Sequence, residues 1–137
     1  AMRKTLILIP ALALLCGTAL TAGSGWREKY AAKEQARLDK ALAGKIAGKP
    51  QSCIRLRDAQ GTESYGETTL LFRASRNLVY RTETRGSCSG IGNGKALISR
   101  TWSGELCRGD MASAADLSAG FETGHCSMGD FVPYRKG

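Results

Sequence analysis

With one histidine, three prolines and aromatics at 7% of its 137 residues, this chain is poorly supplied for several kinds of work. His125 stands alone, so an acid–base–nucleophile set has one imidazole to draw on and no paired catalytic motif beside it. No cysteines lie at the short C-x₂-C spacing of a zinc site: 34, 18 and 18 residues separate Cys53, Cys88, Cys107 and Cys126. The spacing therefore argues against zinc. Basic residues are not interleaved with aromatics, which argues against nucleic acid. The longest apolar run, Leu6 to Cys16, is broken by Pro10 and falls short of the roughly 18–20 residues that span a bilayer.

That run is nevertheless informative. Arg3 and Lys4 precede it, and the small residues Gly17-Thr18-Ala19 and Thr21-Ala22-Gly23-Ser24 follow, the three parts of a secretory signal. Residues 1–22 are expected to be a cleaved signal peptide of a protein exported to the bacterial periplasm or beyond. A minor alternative acylates Cys16 as a lipoprotein, but Ala13 and Leu15 are a poor match to the residues such a signal carries.

Export explains the cysteines. Four in an oxidising compartment read as two disulfides with three possible connectivities. The expected pairing is the nested one, Cys88–Cys107 and Cys53–Cys126, with an inner bridge pinning a Gly-rich loop and an outer clasp joining the domain ends. The side-by-side and crossed arrangements stay open.

Charge is uneven. The formal net charge of the whole chain is +8. Residues 26–50 hold seven cations against three anions, whereas residues 51–137 hold eleven against nine. The first of these segments is rich in Ala, Lys, Glu, Arg and Leu, and Leu38, Ala41, Leu42 and Ile46 recur at helical spacing. Residues 23–50 are therefore predicted to be a basic helical segment, weakened at Gly44 and stopped by Gly48-Lys49-Pro50, whose last turns dock on the domain. Lys29, Lys33, Arg37, Lys40 and Lys45 would present a cationic strip to an anionic envelope surface, either lipid head groups or lipopolysaccharide.

From Cys53 the period shifts towards two. Residues 51–137 are predicted to be a small disulfide-stapled β domain. The fold class expected is mostly β, a small antiparallel sheet or partly open barrel with two disulfides, preceded by one N-terminal helix. Thr68–Ala74 and Leu78–Thr84 flank the turn Ser75-Arg76-Asn77; Ala96–Trp102 and Glu105–Arg108 flank Ser103-Gly104; both pairs read as hairpins. Gly109 to Gly120 reads as helix or strand, and Pro133 as an edge or terminal residue. The core is expected from Ile54, Leu70, Phe72, Leu78, Tyr80, Ile98, Trp102, Leu106, Leu117, Phe121, Phe131 and Tyr134.

The segments Ala43-Gly44-Lys45-Ile46-Ala47-Gly48, Ser52-Cys53-Ile54, Thr69-Leu70-Leu71-Phe72, Val79-Tyr80, Leu106-Cys107-Arg108-Gly109-Asp110 and Gly124-His125-Cys126-Ser127-Met128-Gly129-Asp130-Phe131-Val132-Pro133-Tyr134 resemble a family of small exported proteobacterial proteins. That family carries only a domain-of-unknown-function label. The resemblance implies a bacterial envelope protein and brings no activity, cofactor or site with it.

Other motifs have simpler explanations. Gly86-Ser87-Cys88-Ser89-Gly90 places a cysteine like a nucleophile elbow, yet lacks the helix and base that an elbow needs. Gly90-Ile91-Gly92-Asn93-Gly94-Lys95 lacks the first Gly and the Ser or Thr of a nucleotide loop. Arg108-Gly109-Asp110 is explained by a turn. Asp110, Asp116 and Asp130 have no calcium-loop spacing. No catalytic, cofactor or metal residue is assigned. The function expected is a non-catalytic binding or structural module, with a small periplasmic hydrolase or a protein inhibitor as alternatives.

Overall fold

The computed structural model describes residues 25–137; the expected signal peptide and Cys16 lie outside them. A single helix, α1 (Gly25–Leu42), precedes eleven strands: β1 (Lys45–Ala47), β2 (Cys53–Arg55), β3 (Gly61–Tyr65), β4 (Thr69–Arg73), β5 (Leu78–Glu83), β6 (Arg85–Gly86), β7 (Lys95–Ser99), β8 (Glu105–Cys107), β9 (Met111–Asp116), β10 (Glu122–Ser127) and β11 (Phe131–Lys136). They form a five-stranded sheet in the order β1-β11-β5-β4-β3, a four-stranded sheet in the order β6-β10-β9-β7, and a two-stranded ribbon of β2 and β8. All pairings between these strands are antiparallel. The chain is thus mostly β with one leading helix, as its periodicity predicts, and the sheets stay open instead of closing into a barrel.

Strand alternation divides the five-stranded sheet into two faces. Leu70, Phe72 and Phe131 point inward, where Phe72 and Phe131 meet edge to face at 5.8 Å. Ile54, Cys88, Ile91, Leu106, Ala112, Ala114, Cys126 and Met128 complete that core. On the other face Tyr65, Leu71 and Val79 receive Leu38 of the helix, with Ala41 and Leu42 at the margin. The result is three layers: helix, larger sheet, smaller sheet.

The helix ends at Leu42, earlier than its composition suggests. Gly44 adopts φ +72°, the left-handed conformation that terminates helices, and the next residues turn into β1. Ile46 consequently leaves the helical stripe and is exposed.

Pro133 sits within the five-stranded sheet, not at its edge. Its carbonyl accepts the Gly48 N–H at 2.7 Å, but proline has no N–H to return. The β1–β11 ladder therefore stops at Ala47, and pairing resumes at Gln51 and Phe131, which exchange two bonds of 2.8 Å.

The second hairpin and part of the expected core are corrected. The hairpin over Ser75–Asn77 forms as β4–β5, but the one over Ser103-Gly104 does not. Its first strand, β7, pairs with β9, and its second, β8, pairs with β2. The connection between them runs over the surface, leaving Trp102 fully exposed. Ile98 lies on the outer face of the smaller sheet, and Leu117 and Phe121 flank the β9–β10 turn; all three are exposed rather than core. Residues 111–116 are strand.

The disulfides are crossed: Cys53–Cys107 and Cys88–Cys126, not Cys88–Cys107 and Cys53–Cys126. Strand register is the reason. Cys53 stands directly opposite Cys107 in the β2–β8 ribbon, and Cys126 stands opposite Gly86, two residues before Cys88. A side chain at Gly86 would put its Cβ 2.5 Å from the His125 carbonyl, and one at Gly124 would lie 2.5 Å from the Ser87 carbonyl. The two glycines let the Cys88 segment press against β10 closely enough for the bridge.

The bridges differ in access. Cys88 and Cys126 are 0% and 1% exposed, whereas Cys53 and Cys107 are partly open to solvent. Thiol exchange requires an attacking thiolate to reach a sulfur. Under graded reduction Cys53–Cys107 should open first, and alkylation followed by peptide mapping should label Cys53 and Cys107 while Cys88–Cys126 is intact. Labelling in the reverse order would contradict this account of the core.

Candidate functional site

Helical geometry decides which of the sequence's cations act together. At about 100° per residue, Lys29, Lys33, Arg37 and Lys40 fall within an arc of about 80° on α1. Leu38, on the docked side, is turned about 180° from Lys29. Glu28 and Asp39 occupy the opposite flank. The cations are thus gathered by spacings of four, four and three. Trp26 and Tyr30 adjoin them near the start of the helix and are 64% and 45% exposed. The Arg27 guanidinium lies 5.3 Å from the Trp26 ring centroid.

Lys45 does not belong to this strip. It is the first residue of β1, and its Nζ donates to the Ala41 carbonyl at 3.2 Å, satisfying an orphan acceptor at the helix end. Its charge serves the C-terminal cap.

Arg37 is the anchored member. Its Nη1 donates to both Glu34 oxygens at 2.9 and 2.8 Å, and its guanidinium stacks 4.9 Å from the Tyr65 ring centroid. Glu34 is itself buried and also accepts the backbone N–H of Gly66 at 3.0 Å. Burial alone would push the Glu34 carboxyl up; the Gly66 N–H and the Arg37 guanidinium outweigh it and hold its pKa below the ordinary value. Tyr65 is pushed up to about 12 by burial and by its hydrogen bond to the Glu63 carboxylate, so the ring under Arg37 stays neutral. Glu34 is a buried polar residue in a stripe that composition reads as apolar. Its partner at Gly66 lies 32 residues away, beyond any local pattern.

The remaining sequence motifs resolve into structure. Cys88 is spent in the buried bridge. Arg108-Gly109-Asp110 is a closed turn: Asp110 Oδ2 accepts the Cys107 N–H at 2.8 Å, and Arg108 pairs with Asp130 at 3.0 Å. Asp116 accepts the N–H groups of Ala119 and Ser118 and the Ser118 hydroxyl, which lower its pKa. The three aspartates therefore serve separate local roles and do not converge. Cys53, Glu105 and Cys107 bring potential ligand atoms together, but both sulfurs are in the disulfide.

One juxtaposition escapes sequence reading because register alone creates it. Ser113 of β9 stands opposite His125 of β10, and Glu122 Oε2 lies 4.0 Å from His125 Nδ1. Among the described residues Ser113 Oγ and His125 share no hydrogen bond. The imidazole is largely exposed, and its carboxylate neighbour is beyond bonding range, so nothing fixes the ring for proton abstraction.

No family model, curated protein or solved structure matches the chain. The class is therefore defined by the molecule itself: a disulfide-stapled, mostly β domain with a docked basic helix. Two disulfides fit an oxidising, extracytoplasmic compartment. No helix among the described residues is long and apolar enough to cross a membrane.

The Glu34 contact yields a pH test. A depressed carboxylate contributes stability above its unfolded pKa and loses it as pH falls through its folded pKa. Glu34→Gln should lower stability by about 1.5–3 kcal/mol at neutral pH, the scale of a hydrogen bond to a charged group. In urea titrations the gap to wild type should close as pH falls below 4.5, the ordinary glutamate value. A gap that does not change with pH would show that the carboxylate charge is not what docks the helix.

Proposed function

We propose that the protein is an exported, non-catalytic module of a bacterial envelope that attaches to anionic lipid head groups through α1. The observation carrying this reading is the one-sided placement of Lys29, Lys33 and Lys40, turned away from Leu38, with Arg37 beside them already paired with Glu34 and stacked on Tyr65. Each exposed cation near an anionic surface contributes about 1 kcal/mol of attraction, so the three lysines on one side give a useful, salt-sensitive affinity. Exposed Trp26 and Tyr30 at the same end suit the boundary between water and lipid, where amphipathic rings settle. Export itself rests on the signal-like segment at residues 1–22 and on the cysteines. The resemblance to small exported proteobacterial proteins points the same way.

The helix is not an inserting one. Leu38 is already buried against the sheet, so α1 has little apolar surface left to place among acyl chains. Attachment is electrostatic and reversible.

Vesicles of phosphatidylcholine with phosphatidylglycerol test the proposal. The protein should co-sediment at low ionic strength and be released at about 0.5 M salt, where the screening length shrinks to a few ångströms. Combined Lys29→Glu, Lys33→Glu and Lys40→Glu should abolish co-sedimentation while changing stability by no more than about 1 kcal/mol, since exposed charges contribute little to folding. A wild-type protein that stays in the supernatant at low salt would remove the proposal.

A further inference from the structure

Beside the strip, α1 and the Gly-rich loop flank an open cleft of about 470 Å³. Lys33, Arg37 and Tyr30 line it from the helix, Asn93 from the loop, and Ser64 from β3. It runs along the free edge of the larger sheet, where the Ser64 N–H donates to the Ile91 carbonyl and Ser64 Oγ accepts the Ile91 N–H. Those two bonds, with Ile91 buried in the core, hold the loop at a fixed distance from the helix. The sequence motif that fails as a nucleotide loop thus forms one wall of a cationic cleft.

We infer that this cleft is a binding subsite for a phosphomonoester carried on a sugar ring. The inference rests on the anionic-surface reading above and names the group that surface would offer. Arg37 is the main argument. Glu34 engages its Nη1 and the Tyr65 ring its face, so the guanidinium is fixed before any ligand arrives. Among the described residues its Nη2 and Nε have no hydrogen-bond acceptor, Nη1 alone being engaged. An arginine held in this way loses little freedom on binding and offers a fork suited to phosphate oxygens.

Lys33 adds a second cation, and Asn93 lines the opposite wall. Donors on two walls suit the three terminal oxygens of a tetrahedral phosphate better than a planar carboxylate. Glu34 also lines the cleft, but its oxygens are taken up by Gly66 and Arg37; Glu63, whose charge also reaches Arg37, is engaged by the Tyr65 hydroxyl and by Arg73, so Lys33 brings the cleft its uncompensated positive charge. The volume falls in the ordinary ligand-pocket range of roughly 300–1,000 Å³ and exceeds what phosphate alone would fill. Tyr30 supplies a ring at the cleft, and Trp26 joins it in an adjoining cavity of about 620 Å³. Aromatic faces of this kind cover the apolar side of a pyranose and leave its hydroxyls wet.

The test uses the intact, oxidised chain with glucose 1-phosphate and inorganic phosphate in solution, and with phosphatidylcholine vesicles carrying monophosphoryl lipid A. Titration of isotope-labelled protein should shift the backbone amides of Gly90, Gly92 and Asn93, with glucose 1-phosphate binding more tightly than inorganic phosphate. Lys33→Gln should weaken that binding about fivefold and Arg37→Gln about tenfold or more, as lost charge-assisted hydrogen bonds predict. Because Arg37→Gln also disturbs Glu34, the exposed Lys33→Gln is the decisive variant, and Arg100→Gln, just beyond β7, should change nothing. If lipid A vesicles bind and glucose 1-phosphate does not, the ligand is lipid-borne only; if both bind with the same dependence on Lys33, free sugar phosphates are ligands too. Shifts confined to residues outside the cleft, or binding indifferent to Lys33, would overturn the subsite. Phosphatidylglycerol vesicles separate the two readings: binding to them without any phosphomonoester response leaves the surface reading standing alone, and the converse leaves only the subsite.

Discussion

Cys88 and Cys126 meet in the middle of a core that has few large side chains to spare. Of the residues that surround them, Leu70, Phe72, Leu106 and Phe131 are bulky, while Ala112 and Ala114 of β9 supply little apolar area. A domain of this size excludes water only marginally by burial alone. The bridge ties residues 38 apart in sequence, and its partner ties residues 54 apart; on the chain-entropy model each disfavours the unfolded chain by about 4 kcal/mol. Alanines in β9 and glycines at 86 and 124 are then not weaknesses of packing. They are the room that the bridge requires between β6 and β10.

The helix attaches by a different principle. Leu38 is its single fully buried apolar side chain, too little to hold eighteen residues of a soluble-looking segment in place. The Glu34 carboxylate supplies the rest by reaching the Gly66 N–H, and Arg37 keeps that buried charge compensated. A buried carboxylate without partners would be strongly unfavourable, so the contact also fixes the helix's rotation. Rotation is what matters for the cations, since a turn of a third of the circumference would bring Lys29, Lys33 and Lys40 against the sheet.

Local chemistry was legible in the sequence and long-range pairing was not. Helix-forming composition, the Ser75–Asn77 turn and the alternation of Leu70 and Phe72 all report on near neighbours, and each matches the structure. The Ser103-Gly104 turn carried an equally good local signal, yet β7 and β8 separate into different sheets because β9 and β2 offer them partners. That single divergence accounts for exposed Trp102, for Cys107 opposite Cys53, and hence for the crossed bridges. Four strip residues were readable from helical spacing; Lys45 was misplaced because Gly44 ends the helix first. The Glu34–Gly66 contact and the Ser113–His125 row depend on register and docking, for which a lone sequence holds no pattern.

The two means of construction meet at the cleft. One wall is α1, oriented by Glu34 and Leu38. The other is the loop that starts two residues beyond Cys88 and is seated by Ile91, so its position follows from the buried bridge. A flexible Gly-rich loop facing a loosely held helix would lose, in ordering both, much of what an anion could return on binding. Fixing the loop through a disulfide and the helix through a compensated carboxylate removes that loss in advance. Positive φ at Gly90 and Gly92 then shapes the loop without making it slack, because Ile91 between them is anchored in the core. The staples that a thin core needs for stability are, by position, also what makes a small cationic site rigid enough to select one kind of anion.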